Sequence, residues 1–123
     1  MSSRMYLVTG GAGFLGSALV RGLVAAGHRV RSLDNHARGR SDRIEDLGSA
    51  VEAISGDIRD ADAVSSAVAG VDGVCHLAYV NGTEYFYSMP ETVLDVGVRG
   101  MLNVLDACRR HNVRDLVLVS SSE

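Results

Sequence analysis

VTGGAGFLG, residues Val8 to Gly16, joins a short apolar run to an amphipathic one. The run that leads into it, RMYLVTG, reads as a strand ending at Gly10. Beyond it, from Leu15, apolar or small residues recur at Ala18, Leu19, Gly22, Leu23 and Ala26, the spacing of one helix face, and Gly27 closes the helix. Two patterns overlap in the connection: Gly10, Gly13 and Gly16 at three-residue intervals, and Gly11, Gly13 and Gly16 as G-x-G-x-x-G. With 14 glycines in 123 residues the string alone carries little; its position between a strand and a helix carries much. One glycine is needed for the tight turn, one for close approach of the backbone to a pyrophosphate, and one for packing the helix on the strand. The helix start then presents unpaired N–H groups and a partial positive charge to the phosphates.

Working outward, HRVRSLD reads as a second strand ending on Asp34, 18 residues past Gly16. An acid there accepts the ribose hydroxyls of an adenosine and repels a 2′-phosphate, which favours NAD over NADP. Arg38 and Arg40 follow closely, either as surface charges or as groups that reverse that preference. SDRIEDLG is expected to form a short helix capped by Ser41. AVEAISGD reads as a third strand, RDADAVSSAVAG as a helix ending at Gly70, and DGVCHLA as a fourth strand. YVNGTEYFYSM is expected to be a long aromatic loop, its Tyr85, Phe86 and Tyr87 either packing it down or meeting a ligand.

Ser88 and Glu91 have capping-box spacing around Pro90, and the small or apolar face of the helix they open continues through Val93, Gly97, Gly100, Met101, Val104 and Cys108. The two glycines, one turn apart, let that helix lie close to a neighbour. RDLVLVS is the fifth strand. Each strand-helix pair requires a crossover, and crossovers make a parallel sheet. The expected fold is therefore α/β, a Rossmann doubly wound parallel sheet of strand order 3-2-1-4-5 with helices on both faces. Its ligand crevice opens where strands 1 and 4 diverge.

Composition bounds the rest. A chain of this length suits one domain, residues 1–123, and a net charge of −3 offers no basic field for nucleic acid. Cys75 and Cys108 lack metal-ligand spacing and read as buried reduced thiols, and no metal site is expected. No apolar run approaches a membrane span and no signal peptide precedes the first strand, so no membrane association and a cytoplasmic location are expected. All twelve basic residues counted as Lys or Arg are Arg.

TGGAGFLG, LDN, GDIRD, CHLA, GMLNVLDA and VSSSE, in this order, resemble the extended short-chain dehydrogenase/reductases, specifically the NAD-dependent epimerase/dehydratase family acting on nucleotide sugars. The resemblance covers essentially the whole chain. It implies NAD contacts from Gly10, Gly13, Phe14, Leu15 and Gly16, from Asp34 and Asn35, from Asp57 and Ile58 flanking the adenine, and from Leu77 and Ala78 on the nicotinamide side. It also implies a catalytic hydroxyl just after the fifth strand, with Ser121 in that register and Ser122 beside it.

The family's base, a Tyr-x-x-x-Lys pair, has no match, because the sequence holds no Lys. The chain is accordingly expected to be the N-terminal, cofactor-binding portion of an enzyme, inactive by itself. The implied activity is nucleotide-sugar epimerisation through transient oxidation to a ketone, with the nucleotide sugar as partner and a homodimer as the assembly. Dehydratase, decarboxylase or reductase chemistry are sibling readings, and a non-catalytic dinucleotide sensor is the reading of another class. Two positions depart from the family pattern: Gly97 where Asn is common, and Tyr79 where a second Ala is common.

Overall fold

The computed structural model describes residues 3–36, 41–80 and 83–120. Five parallel strands, β1 (Met5–Thr9), β2 (Arg29–Asp34), β3 (Val51–Ser55), β4 (Gly73–His76) and β5 (Asp115–Leu118), form one sheet of order β3-β2-β1-β4-β5. This is the expected Rossmann-like order. Four α-helices, α1 (Phe14–Ala25), α2 (Ala61–Val68), α3 (Thr83–Ser88) and α4 (Pro90–Arg110), provide the crossovers together with 3-10 turns at Ser41–Arg43 and Glu45–Ala50.

Alternation along the strands divides the core in two. Leu7, Leu33 and Val74 face α2 and α4, packing with Val64, Ala67, Val68, Val96, Val104 and Cys108. On the opposite face Val8, Val30 and Cys75 pack with Val20, Leu19, Leu23 and Val24 of α1. Burying each such Val or Leu is worth about 1.5–3 kcal/mol, so the inner strands β1, β2 and β4, which carry these residues, are where the sheet is most firmly held. Both thiols are buried, which raises their pKa values. At the outer edge, β5 leaves Val117 and Leu118 more than half exposed.

The helix ends explain themselves locally. Gly27, at φ +93°, donates to Val24 O while His28 donates to Leu23 O, a left-handed glycine stop for α1. Asn112 (φ +57°) stops α4 in the same way, with Val113 N donating to Cys108 O. Asp60 caps α2 by accepting from Asp62 N and Ala63 N at 3.0 and 3.3 Å.

Three local expectations are corrected. The helix expected over 41–48 is instead two 3-10 turns parted at Ile44, the second kinked at Gly48 (φ +62°), and no α-helix follows Ser41. The aromatic loop contains α3. The Ser88–Glu91 capping box does not form: Met89 is the N-cap of α4, without a side-chain cap, and only Pro90 at the helix start behaves as expected.

Among the described residues no helix is long and apolar enough to cross a membrane, and no cluster of His, Cys, Asp and Glu is arranged to hold a metal.

Candidate functional site

The carboxyl ends of β1, β2 and β4 converge on the glycine loop. Gly10 turns it at φ +73°, and a Cβ there would come within 3.2 Å of the Ala78 backbone. Gly16 packs the helix against the loop: its Cβ would fall 1.9 Å from Gly10 O. Gly13 is the N-cap of α1, and a Cβ on it would meet only Gly10 O, at 3.2 Å. The turn, packing and open-approach roles expected of the three glycines thus fall on Gly10, Gly16 and Gly13. Gly11 adds a fourth constraint, since its Cβ would overlap Ser32 Oγ of β2 at 2.2 Å.

The first helical bond of α1 runs from Ser17 N to Gly13 O at 2.9 Å, so the amides of Phe14, Leu15 and Gly16 precede the ladder. Phe14 and Leu15 are well exposed at that start, 82% and 62%.

Asp34, buried at the end of β2, reaches into the loop. Its Oδ2 accepts from Ala12 N at 3.1 Å and its Oδ1 accepts from His36 N at 2.6 Å. Ala12 is held from the other side as well, Arg43 Nη1 donating to its carbonyl at 3.1 Å. Sequence reading did not single out Ala12 or Arg43; neither belongs to the glycine spacing. The carboxylate keeps further acceptor capacity for hydroxyl donors.

Next to Asp34, Asn35 is exposed and hydrogen-bonds Asp57. Asp57 is clasped by Arg59, whose Nε and Nη2 donate at 3.0 and 2.7 Å and whose backbone N–H donates at 2.8 Å. This guanidinium holds the Asp57 carboxyl well below its usual range, at about 2. Ile58 is placed differently. Its side chain is buried beneath α4 against Gly100, where a Cβ would stand 2.3 Å from Cδ1, and its carbonyl accepts from Asn103 Nδ2 at 2.9 Å.

On the other side of the loop, Thr9 organises the point where β1 and β4 part. Its Oγ1 accepts from the amides of Leu77 and Ala78, both at 3.0 Å, and lies 2.7 Å from His76 Nδ1. A hydroxyl that accepts twice has one proton to give, so it donates to Nδ1 and His76 carries its own proton on Nε2. Burial lowers the pKa of His76, in keeping with a neutral ring. No spacing rule marks this pair; the one available signal is a polar residue in an apolar strand, Thr9, whose exposure is 0%.

β5 ends at the same edge. Val119 N donates to His76 O at 3.2 Å, which carries the chain leaving β5 alongside the exit of β4. Ser121 and Ser122 lie outside the described residues, as do Arg38 and Arg40. Tyr79 and Gly97 are in contact: a Cβ at 97 would stand 2.6 Å from Tyr79 Cε2.

Amide donors at a helix start, an open-sided glycine and an acid at the end of β2 fit a dinucleotide in the chemistry of their donors and acceptors. The model of the NAD dependent epimerase/dehydratase family matches residues 6–123. The chain belongs to this family. Its fold is that of structures containing the cofactor: a UDP-glucose 4-epimerase from Stenotrophomonas maltophilia with bound NAD and formylated UDP-arabinopyranose superposes with a TM-score of 0.90 at 28% identity, covering 97% of this chain and 37% of that one. NAD is the cofactor of this epimerase/dehydratase domain.

Other family relatives differ in chemistry. A 2-alkyl-3-oxoalkanoate reductase from the same species is 42% identical over 94% of this chain and 32% of the relative. A dTDP-glucose 4,6-dehydratase from Mycobacterium tuberculosis is 39% identical over 88% of this chain and 34% of its own length. The chain spans about a third of the length of these relatives.

Proposed function

We propose that the chain is the cofactor-binding portion of an NAD-dependent nucleotide-sugar epimerase of the cytoplasm, and that it turns over no sugar by itself. The observation that supports the reading is the Val119–His76 bond, which sets the end of β5 beside the exit of β4, at the sheet edge that also holds the glycine loop and Asp34. NAD, when bound, supplies the chemistry of taking up and returning a hydride.

The chain's own residues have separable tasks. The loop of Gly10, Gly13 and Gly16 and the first turn of α1 hold the pyrophosphate. Asp34 holds the adenosine ribose. Asn35, Asp57 and the backbone at Ile58 border the adenine, and Leu77 and Ala78 border the nicotinamide. Ser121 donates to or accepts from the sugar oxygen that becomes a carbonyl, with Ser122 beside it. A base from outside this chain removes the proton, since a Tyr-x-x-x-Lys pair is absent from it. The test is a sugar-dependent assay of this chain beside a longer one, with Ser121→Ala and Ser122→Ala made in the longer one. Epimerisation by the chain alone, or full activity in both variants, would overturn the reading.

A second reading, reduction of an apolar carbonyl substrate, draws support from the 42% identity to an oxoalkanoate reductase and from the exposed rings of Tyr79 at the β4 exit and of Phe86 and Tyr87 on α3. Turnover of a 3-oxoalkanoate and not of a nucleotide sugar by the longer protein would favour it. Dehydratase chemistry is disfavoured by Ser122 where dehydratases of the family carry Asp.

The outer face of α4 supports a homodimer. Leu94, Val98, Leu102 and Leu105 are 44–65% exposed along it, an apolar stripe that a second copy would cover. Sedimentation of the protein and of Leu102→Glu tests this, a monomer in both cases excluding the pairing.

A further inference from the structure

Sheet order fixes what lies on either side of the glycine loop. β2, with Asp34 at its end, flanks β1 on one side, and β4, continuing into Leu77, Ala78 and Tyr79, flanks it on the other. A dinucleotide held at Asp34 by one ribose and at α1 by its phosphates extends its second nucleoside toward β4. Tyr79 stands there, directly after the Ala78 backbone that packs on Gly10.

The ring of Tyr79 is seated on α4. A Cβ at Gly97 would lie 2.6 Å from its Cε2 and 3.5 Å from Cδ2 and Cζ. A rigid ring has no flexible end to yield, so even a methyl at 97 displaces it. Yet Tyr79 is 50% exposed, so one edge is held by the helix while the rest faces outward. Gly97 and Tyr79 therefore form one spatial unit: α4 carries no side chain at 97, and a ring from the β4 exit occupies that space.

We propose that Tyr79, positioned by Gly97, is a cofactor-contacting residue whose ring walls the crevice against the nicotinamide riboside half of NAD. The ring offers an apolar face to the nucleoside and a phenol at its tip. Gly97 acts through it, as a positioning residue.

Calorimetric titration of the protein with NAD and with ADP, which lacks the nicotinamide riboside, tests the assignment. Tyr79→Ala is expected to weaken NAD about fivefold and ADP less than about twofold, the range of one aromatic contact. Gly97→Ala is expected to weaken NAD by a similar factor, and to add less than about twofold when Tyr79 is already Ala, there being no ring left to displace. Unchanged NAD affinity in Tyr79→Ala, or equal losses for NAD and ADP, would overturn the assignment. So would a Gly97→Ala effect that persists in full without the ring. If Gly97→Ala does not fold, the two titrations of Tyr79→Ala decide alone. A wild-type protein that bound neither ligand would overturn the site as a whole, a result distinct from failure of the pair.

Discussion

Thr9 Oγ1 lies 2.7 Å from His76 Nδ1 and accepts from two backbone amides of the β4 exit, so one buried hydroxyl fixes both the tautomer of a histidine and the point at which β1 and β4 separate. Thr9→Val keeps the shape and removes all three bonds. Leaving the Ala78 amide and a ring nitrogen without their partner, while Leu77 N keeps the Thr9 carbonyl at 3.3 Å, should cost about 1–3 kcal/mol, read as a shift of the urea midpoint at unchanged slope. A shift below about 0.5 kcal/mol would show that the network does not hold the crevice open.

The same histidine gives the stability a pH dependence. Burial lowers the folded-state pKa of His76 below its ordinary value of 6.5, so the unfolded chain binds the proton more readily. Stability from this source is complete above about pH 6.5 and declines as pH falls toward the folded value. Thermal melts between about pH 7 and 5 should show the decline, and His76→Gln should flatten it. An unchanged slope in the variant would assign it to other groups.

Asp57 should titrate at about 2 because Arg59 grips it with two guanidinium nitrogens and a backbone amide. Arg59→Ala should return its midpoint toward the ordinary aspartate range of about 4, followed by carboxyl carbon chemical shift. Asp57 and Arg59 are each about a third exposed, so little stability should accompany the change. The folded pKa being lowered, what there is acts above about pH 4 and disappears as pH falls through 2.

Two glycines of the loop should fail in different ways. Gly16→Ala drives a Cβ to 1.9 Å from Gly10 O and should destabilise the fold by several kcal/mol, on the order of 3. Gly13→Val projects from an N-cap of ordinary φ, −75°, with only Gly10 O near, and should leave helical circular dichroism intact while abolishing NAD binding. Near-native NAD affinity in Gly13→Val would contradict the role given to the loop.

Sheet order, the glycine turn after β1 and the position of Asp34 at the end of β2 were legible because they follow from chain-local rules: a glycine turn before an amphipathic face, an acid closing the next strand, and crossovers that impose parallel pairing. The errors lie where a local rule was outweighed. α3 is too short to show helical periodicity, so Tyr85, Phe86 and Tyr87 read as a loop. Ser88 has the right spacing for a cap, yet Met89 adopts the N-cap conformation. The helix expected after β2 is instead parted at Ile44, whose backbone is not helical (φ −127°, ψ −4°). Contacts distant in sequence were not legible at all: Thr9 with His76, Gly11 against Ser32, and Tyr79 on Gly97 are 67, 21 and 18 residues apart.

Asp34 carries the central claim, that this sheet edge selects NAD, and Asp34→Asn probes it most directly. The amide keeps one oxygen for Ala12 N–H, and loses both the charge and the acceptor that His36 N–H uses. Calorimetric titration of both cofactors should show wild-type protein preferring NAD over NADP, and the variant binding NAD about tenfold more weakly with the gap to NADP narrowed, the loss of one charge-assisted hydrogen bond. NAD affinity and cofactor preference unchanged in Asp34→Asn would remove the carboxylate from the site and contradict the account.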